Sequence, residues 1–359
     1  MATTINSNTT DGIVITPDTS GEIELQANGV TKAKVTANGL QDANGNSLRG
    51  GSFRNLIING DMRIDQRNAG ASVVNVSGKQ FTLDRFYNAT TQSSKFSVQQ
   101  NAGSVTPPDG FTSYLGVTSS SAYSVLSNDY FLIRHRVEGL NVSHINWGTT
   151  NAKTVTLSFW VRSSLTGTFS GGITNSGQTR TYVFSYTIDS ANTWERKTIT
   201  IEGDTTGTWL TTNGIGIQLD INLGSGSTYT TTSGSWQSGA YVNVSGATSV
   251  VGTSGATFYI TGVQLEVGDT ATPFEHRPYD MELARCQRYL PALNGRYWTA
   301  TGYNIINNIG VGFIKFPVTA RVPATGISFS SLSHFTVANN TNTSYIPIGI
   351  SFDVFPPHC

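Results

Sequence analysis

Charged side chains are scarce in this 359-residue chain: Asp, Glu, Lys and Arg make up 12% of it, against about 25% in an ordinary soluble domain. The polar surface therefore has to be built mostly from uncharged groups. An excess of either sign is missing too, with 22 Lys and Arg against 22 Asp and Glu. Nucleic acid and anionic bilayers are held chiefly by Lys and Arg, so both are set aside as main partners. Cysteine is nearly absent, and Cys286 and Cys359 make no disulfide framework; stability has to come from packing and assembly. No apolar run approaches the ~18 residues of a membrane span. Met1 to Ile5 offer neither the basic start nor the apolar stretch of a signal peptide. The expectation is a protein made in a cytoplasm and not inserted in a membrane. Sequons such as those at Asn88, Asn141 and Asn243 then read as chance in a chain rich in Asn, Ser and Thr.

What is abundant points to strands. There are 38 Gly, Ser and Thr fill about a quarter of the chain, and aromatics reach 10%. That is enough Val, Ile, Phe, Tyr and Trp for packed sheets, and it excludes wholesale disorder. In the stretch Thr154 to Arg162, Val155, Leu157, Phe159 and Val161 alternate with Thr154, Thr156, Ser158 and Trp160, the period of a half-buried strand. Similar runs occupy Thr181 to Ile188, Lys197 to Ile201, Gly214 to Leu223 and Ala256 to Val267. Turn residues separate them, as in a β-sandwich or jelly roll. Between residues 53 and 278 no helical period with caps is sustained, which argues against a parallel α/β fold.

The chain divides into four parts. Residues 1 to 50 are almost free of aromatics and carry Asn28-Gly29, Asn38-Gly39 and Asn44-Gly45, pairs that favour tight hairpin turns. Ile23, Leu25 and Ala27 alternate with Glu22, Glu24 and Gln26, and Ala33 and Val35 with Lys32 and Lys34. This reads as one amphipathic hairpin that needs a partner surface, since two strands alone bury too little. After Gly50-Gly51, residues 51 to 279 form the sandwich. Residues 280 to 294 hold one short connector helix, with Asp280 as N-cap, Glu282 in the first turn, Leu283, Cys286 and Leu290 on one face and Pro291 as its stop. Residues 295 to 359 read as a small C-terminal β domain, with Phe313, Lys315, Phe316 and Val318 in one strand pattern and Ile346 to Val354 in another.

Three stretches resemble bacteriophage tail-fibre and virion-appendage proteins that carry a carbohydrate-binding-module-like jelly roll. The first is Asn55-Leu56-Ile57-Ile58-Asn59-Gly60-Asp61-Met62-Arg63-Ile64-Asp65-Gln66-Arg67, followed by Thr82-Leu83-Asp84-Arg85-Phe86. The second is Leu157-Ser158-Phe159-Trp160-Val161-Arg162-Ser163-Ser164, running on to Gly167-Thr168-Phe169. The third is Ile260 to Gly268, then Ala271 to Tyr279, with Cys286-Gln287-Arg288-Tyr289 on the helix. Residues 21 to 30 are similar to attachment segments of trimeric phage fibres, and Lys315 to Thr325 resembles the segment C-terminal to the jelly roll in such proteins. The resemblance implies a homotrimeric virion appendage displaying sandwich domains toward the host surface, joined to a tail or capsid protein through residues 1 to 50.

Catalytic chemistry is not expected. Glycoside hydrolysis needs two carboxylates facing each other across a cleft. Asp61 and Asp65 lie beside Arg63 and Arg67, and Asp84 precedes Arg85, so ion pairing and turn capping account for them. Glu266 and Glu275 flank the third stretch, where the resemblance implies closure of the sandwich. His135, His144, His276, His334 and His358 have no metal-binding spacing, and no nucleophile elbow or phosphate loop occurs. His135 between Arg134 and Arg136 reads as a solvated basic edge, or else a sugar- or phosphate-facing site. No cofactor is expected beyond the structural calcium such jelly rolls often carry, for which Asp61 and Glu266 are the candidate ligands.

Sugar recognition calls for an exposed aromatic face plus amides and hydroxyls. Residues 204 to 255 supply that chemistry, and Trp209 and Tyr229, flanked by Gly, Thr and Ser, are the candidate ligand-binding aromatics. Trp236 and Tyr241 are assigned to packing. Trp298 and Tyr303 are further candidates if the fibre tip carries the site. The sequence reading is a non-enzymatic trimeric tail fibre, located on the virion, that contributes to host-surface polysaccharide recognition. A capsid head fibre or decoration protein is its alternative. A polysaccharide depolymerase is the reading from another class, opposed by the missing carboxylate pair and the lack of a β-helix repeat. Balanced charge further implies binding insensitive to salt unless a local patch dominates.

Overall fold

The computed structural model describes residues 21–36, 39–42, 53–292, 301–306, 309–313, 316–322, 337–338 and 343–344. Among them the chain is all-β apart from one short α-helix and a few 3-10 turns. Strands β1 (Ile23–Ala27), β2 (Val30–Thr36) and β3 (Gly39–Asp42) form an antiparallel sheet in the order β1-β2-β3. The expected Asn28-Gly29 turn is present, with φ of 53° and 70°. Asn followed by Gly is the pair that tolerates left-handed backbone at both positions. A third strand extends the expected hairpin. Ile23 pairs with Val35 and Val35 with Leu40, so apolar side chains line up across one face, and Leu25, Val35 and Leu40 are exposed on it.

The sandwich packs two antiparallel sheets face to face. One runs β13 (Glu195–Ile201), β10 (Val155–Ser163), β16 (Thr257–Val267), β8 (Leu115–Ser119), β7 (Phe96–Gln100) and β4 (Val73–Val74). The other runs β15 (Trp236–Ser238), β12 (Arg180–Ile188), β11 (Gly167–Thr174), β14 (Ile215–Ser225), β9 (Tyr130–Glu138), β6 (Phe86–Thr90) and β5 (Gly78–Phe81). Each strand read from alternation is found within a residue or two of its expected ends. On β10 the apolar set Val155, Leu157, Phe159 and Val161 is wholly buried. It meets Phe131, Ile133, Val137, Ile217, Leu219, Ile221 and Leu223 of the opposite sheet in one continuous core. Period-two alternation decides this arrangement, because a one-residue slip would turn every one of these side chains outward.

The first and third of the stretches that resemble the phage proteins come together as a clasp. Glu275 accepts hydrogen bonds from the backbone N–H groups of Phe53, Arg54 and Asn55. Arg277 donates to the carbonyls of Asn55 and Ile57 and is ion-paired to Glu275 and Glu282 at 3.0 and 3.1 Å. Glu282 in turn accepts from the N–H of Asn59. At Gly60 a Cβ would sit 2.1 Å from the Val263 carbonyl oxygen, which explains the glycine in the first stretch. Both charges of the Arg277–Glu282 pair are buried and paired, the condition under which buried charge is tolerated.

The helix α1 (Tyr279–Gln287) departs from expectation in two ways. Its N-cap is Pro278, which makes no side-chain cap, and Asp280 lies inside the first turn. It is also packed onto the sandwich: Cys286, Leu283 and Tyr289 close over Ile58 and Ile64. Beyond it, β17 (Thr301–Ile306) pairs with β18 (Ile309–Phe313), and β19 (Val337–Ala338) with β20 (Thr343–Ser344). Residues 316–322, expected to continue a strand through Phe316 and Val318, carry no strand. They lie against α1, where the Arg321 N–H donates to the Arg288 carbonyl at 2.8 Å. The pattern at residues 346–354 lies outside the described residues.

Candidate functional site

Alternation sends β5, β6, β9 and β14 residues to the outer face of the seven-stranded sheet. Phe81 pairs with Tyr87, Tyr87 with Arg134, Arg134 with Asp220 and Asp220 with Gly172. One row across the face is therefore aromatic, aromatic, cation, carboxylate, glycine. In the next row Arg136 stands opposite Gln218, and Gln218 opposite Thr174.

This face has two halves. Over β11, β12 and the far side of β14, the segment after Gly226 forms a roof. Asn243 donates to the Ser225 carbonyl at 2.9 Å and accepts from Asn222 at 2.9 Å, while Thr181 donates to the Gly239 carbonyl at 2.5 Å. Buried Asn222, Asn243, Ser170 and Thr181 thus find partners inside the protein, as buried polar groups must. The near half, over β5, β6 and β9, carries half-buried Phe81, Arg134 and Arg136 and exposed Lys79 and Arg67.

Electrostatics differ sharply between neighbours there. Arg134 donates twice to Asp220, at 2.5 and 2.9 Å. Burial alone would make this guanidinium easier to deprotonate, but the Asp220 charge and its hydrogen bonds hold the proton more firmly than usual. Arg136 has only a carboxamide: its Nε donates to Gln218 at 3.0 Å. Its guanidinium lies 5.3 Å from the Tyr87 ring centre. Lys79 places its ammonium 4.4 Å from the Phe81 ring centre and 5.0 Å from that of Tyr87, and Arg67 lies 4.8 Å from Phe81. The Tyr87 hydroxyl is buried beside Arg134 and forms no hydrogen bond of normal geometry.

His135, between the two arginines in sequence, points the other way. It is buried, tilted against Phe86 at 4.9 Å, with Nε2 3.2 Å from the Ile58 carbonyl. Burial, with Arg85 nearby, holds it neutral, well below the ordinary range of histidine. It belongs to the core, and neither surface reading of it survives.

The sequence-predicted aromatics fall in different places. Trp209 is half-buried in an edge-to-face cluster with Trp147 at 4.7 Å and Trp236 at 5.4 Å, and its Nε1 donates to the Thr206 carbonyl at 3.1 Å. Its ring is thereby spent on packing. Trp236 also packs, as expected. Tyr229 sits at the edge of the roof, edge-on to Tyr130 at 5.2 Å, against the group formed by Tyr87, Ala89, Leu132 and Val242. It borders the near half of the face. Trp298 lies outside the described residues, and Tyr303 is on β17, paired with Val311. The structure therefore brings Tyr229 to the candidate face and leaves Trp209 away from it.

The candidate calcium ligands have other partners. Glu266 accepts from the Thr272 N–H and hydroxyl and from Gln264, at 2.7–2.9 Å, with Arg54 3.8 Å away. Asp61 is ion-paired to Arg63, and burial raises its carboxyl above the usual range. Glu266 thus has both oxygens engaged, whereas Asp61 Oδ1 is buried without a hydrogen-bond partner; among the described residues no group of three or more His, Cys, Asp or Glu is placed to hold a metal. Asp65 and Asp84, assigned to turns and ion pairs, are both held by turn donors: Asp65 accepts from the Asn68 and Gly70 N–H groups, and Asp84 from Gln66.

No signal along the sequence announces Lys79, Arg67 and Phe81 as neighbours of Arg136, because they meet only through strand pairing. The charged residues flanking His135 are the one local hint.

No protein-family model matches the chain, and no curated protein matches it. Several solved structures are similar in outline. One is the enzymatically active domain of tailspike protein 4 from bacteriophage CBA120, at 12% identity and a TM-score of 0.33, covering 60% of this chain and 22% of that one. Another is a family 11 carbohydrate-binding module from Clostridium thermocellum, at 11% identity and 0.28, covering 55% of this chain and all of that one. A third is the module TmCBM61 in complex with β-1,4-galactotriose, at 11% identity and 0.26, covering 51% of this chain and 88% of that one. The chain thus spans about a fifth of the tailspike domain. Likeness at this level fixes neither a family nor a ligand.

Proposed function

We propose that this protein is a non-enzymatic appendage of a bacteriophage particle that binds host-surface glycan through the near half of the outer face of its seven-stranded sheet. The observation that carries the reading is the row Phe81–Tyr87–Arg134–Asp220, bordered by Tyr229 and by Arg136. Tyr87 and Asp220 are buried in that row, so the half-buried rings of Phe81 and Tyr229 and the guanidinium groups of Arg134 and Arg136 supply the aromatic surface and hydrogen-bonding groups that sugar recognition requires. Asp220, the carboxylate of that row, is tied to Arg134 and has no second carboxylate facing it there, so the reading is of a binder without hydrolysis. The phage assignment is supported by the three resembling stretches, of which the first and third meet in the clasp.

Attachment is assigned to the N-terminal segment. Its three strands leave Leu25, Val35 and Leu40 exposed along one face, and an exposed apolar face of this kind marks a surface for a partner. The partner surface is taken to be two further copies of this chain together with a tail protein of the virion. A capsid location is the alternative within the same reading.

Binding of the purified protein to surface polysaccharide extracted from susceptible host cells, with Tyr229→Ala beside it, tests the glycan assignment. Retention by wild type and weakened retention by the variant is expected. Absence of any retention overturns the reading. Electron microscopy of labelled particles decides between tail and capsid.

A further inference from the structure

We propose that Lys79, Arg67 and Arg136, gathered round Phe81 and Tyr87, form a subsite for the anionic group of an acidic polysaccharide. The inference rests on the glycan reading and names the class of glycan.

The charge balance is local. Among the described residues none of these three cations is within ion-pair distance of a carboxylate. Lys79 lies exposed on β5, and Arg67 exposed in the turn that precedes β4. What holds them is the ring pair: ammonium and guanidinium sit over Phe81 and Tyr87 at 4.4–5.3 Å. An aromatic face attracts a cation through its quadrupole but carries no net charge. The cations are therefore fixed in place without an ion-pair contact, although the charges of Asp84 and Asp65 act on Arg67 and that of Asp220 on Arg136 from farther away.

Although the Lys79 side chain is exposed overall, partial desolvation of its ammonium against the two rings, followed by the charges of Arg136, Arg321, Arg85 and Arg67, makes it easier to deprotonate than an ordinary lysine. The acids nearest Arg67 are otherwise engaged, Asp65 with Asn68 and Gly70 and Asp84 with Gln66. Asp220 is held by Arg134. An incoming carboxylate, phosphate or sulfate would relieve the repulsion and accept charge-assisted hydrogen bonds, the stronger kind.

Two features favour a sugar polymer over nucleic acid. The chain has equal numbers of cationic and anionic side chains, so the cluster is a point and not the extended basic track that a phosphate backbone follows. It also borders the aromatic edge formed by Tyr130 and Tyr229.

The test uses the full-length protein and four probes: polygalacturonate, dextran sulfate, neutral dextran and single-stranded polyadenylate. The expected result is binding to polygalacturonate or dextran sulfate, at least about tenfold above neutral dextran and above polyadenylate, that weakens as salt rises. The double variant Lys79→Gln/Arg67→Gln, at two exposed positions where melting should not change, should lose roughly tenfold or more of that binding. Lys79→Arg should restore most of it, and which acidic probe binds better identifies carboxylate or sulfate as the preferred group. Equal binding of neutral and acidic polymers, an unaffected double variant, or preference for polyadenylate overturns the proposal. If the variant still binds host polysaccharide as wild type does, the anionic subsite fails while the glycan reading stands; if wild type binds neither host polysaccharide nor any sugar probe, the glycan reading itself falls.

Discussion

Arg134 and Asp220 face each other across β9 and β14, their guanidinium and carboxylate joined by two hydrogen bonds of 2.5 and 2.9 Å on the outer side of the sheet. Asp220 is almost fully buried and Arg134 is not, with side-chain exposures of 3% and 12%. The pair is therefore partly shielded from water, and removing one partner strands the other. Asp220→Asn is expected to lower stability by about 2–3 kcal/mol, short of the roughly 3–5 kcal/mol typical of fully buried pairs. Chemical denaturation measures it. A loss below about 0.5 kcal/mol would mean the pair behaves as a surface ion pair.

The buried His135 makes stability depend on pH with a definite sign. In the unfolded chain a histidine binds a proton near pH 6.5, while burial keeps the folded imidazole neutral to a much lower pH. Below about 6.5 the unfolded state thus binds more protons, and stability falls as pH is lowered, by up to about 1.4 kcal/mol per pH unit. Above that pH the contribution is constant. His135→Gln should flatten the profile between about pH 6.5 and 5 in melts recorded across that range. An unchanged slope in the variant would assign the effect to carboxylates instead.

Trp209 and Tyr229 should behave differently when truncated. Trp209→Ala opens a hole between Trp147 and Trp236 and is expected to cost about 2–4 kcal/mol while leaving glycan binding intact once the protein is folded. Tyr229→Ala loses an edge contact with Tyr130 and should cost about 1 kcal/mol yet weaken glycan binding. Calorimetric melting paired with a binding titration separates the two. Reversed outcomes would place the ligand at the Trp cluster.

Assembly should follow the N-terminal sheet. The full chain is expected to sediment as a trimer at micromolar concentration and neutral pH, and the chain lacking residues 1 to 50 to keep its sandwich, judged by near-ultraviolet circular dichroism, while losing incorporation into particles. A stable monomer of the full chain would defeat the trimer. Continued incorporation of the truncated chain would move the anchor to the C-terminal part.

The sequence shows the sandwich strands because their information is local. Val155, Leu157, Phe159 and Val161 alternate within nine residues and all four are buried, although Thr156 and Ser158 between them are buried too. The third N-terminal strand is less visible, since Gly39–Asp42 is too short to show alternation. Trp209 sits among Gly and Thr as a loop residue should, but its partners Trp147 and Trp236 come from distant parts of the chain. The cation cluster is hidden for the same reason. Arg67, Lys79 and Arg136 become neighbours only once β5 pairs with β6 and β6 with β9, and a total of zero charge conceals any grouping.

The clasp has a mechanical consequence. Residues 53–59, where the chain enters the sandwich, are gripped by Glu275, Arg277 and Glu282, where it leaves. Entry and exit thus lie side by side, and a load applied between the two ends bears first on this knot of side chains and not on the ladders of the two sheets. The chain loaded between its two ends would yield there before either sheet deformed; in single-molecule pulling, Glu282→Gln should lower the first rupture force and leave later ones unaltered.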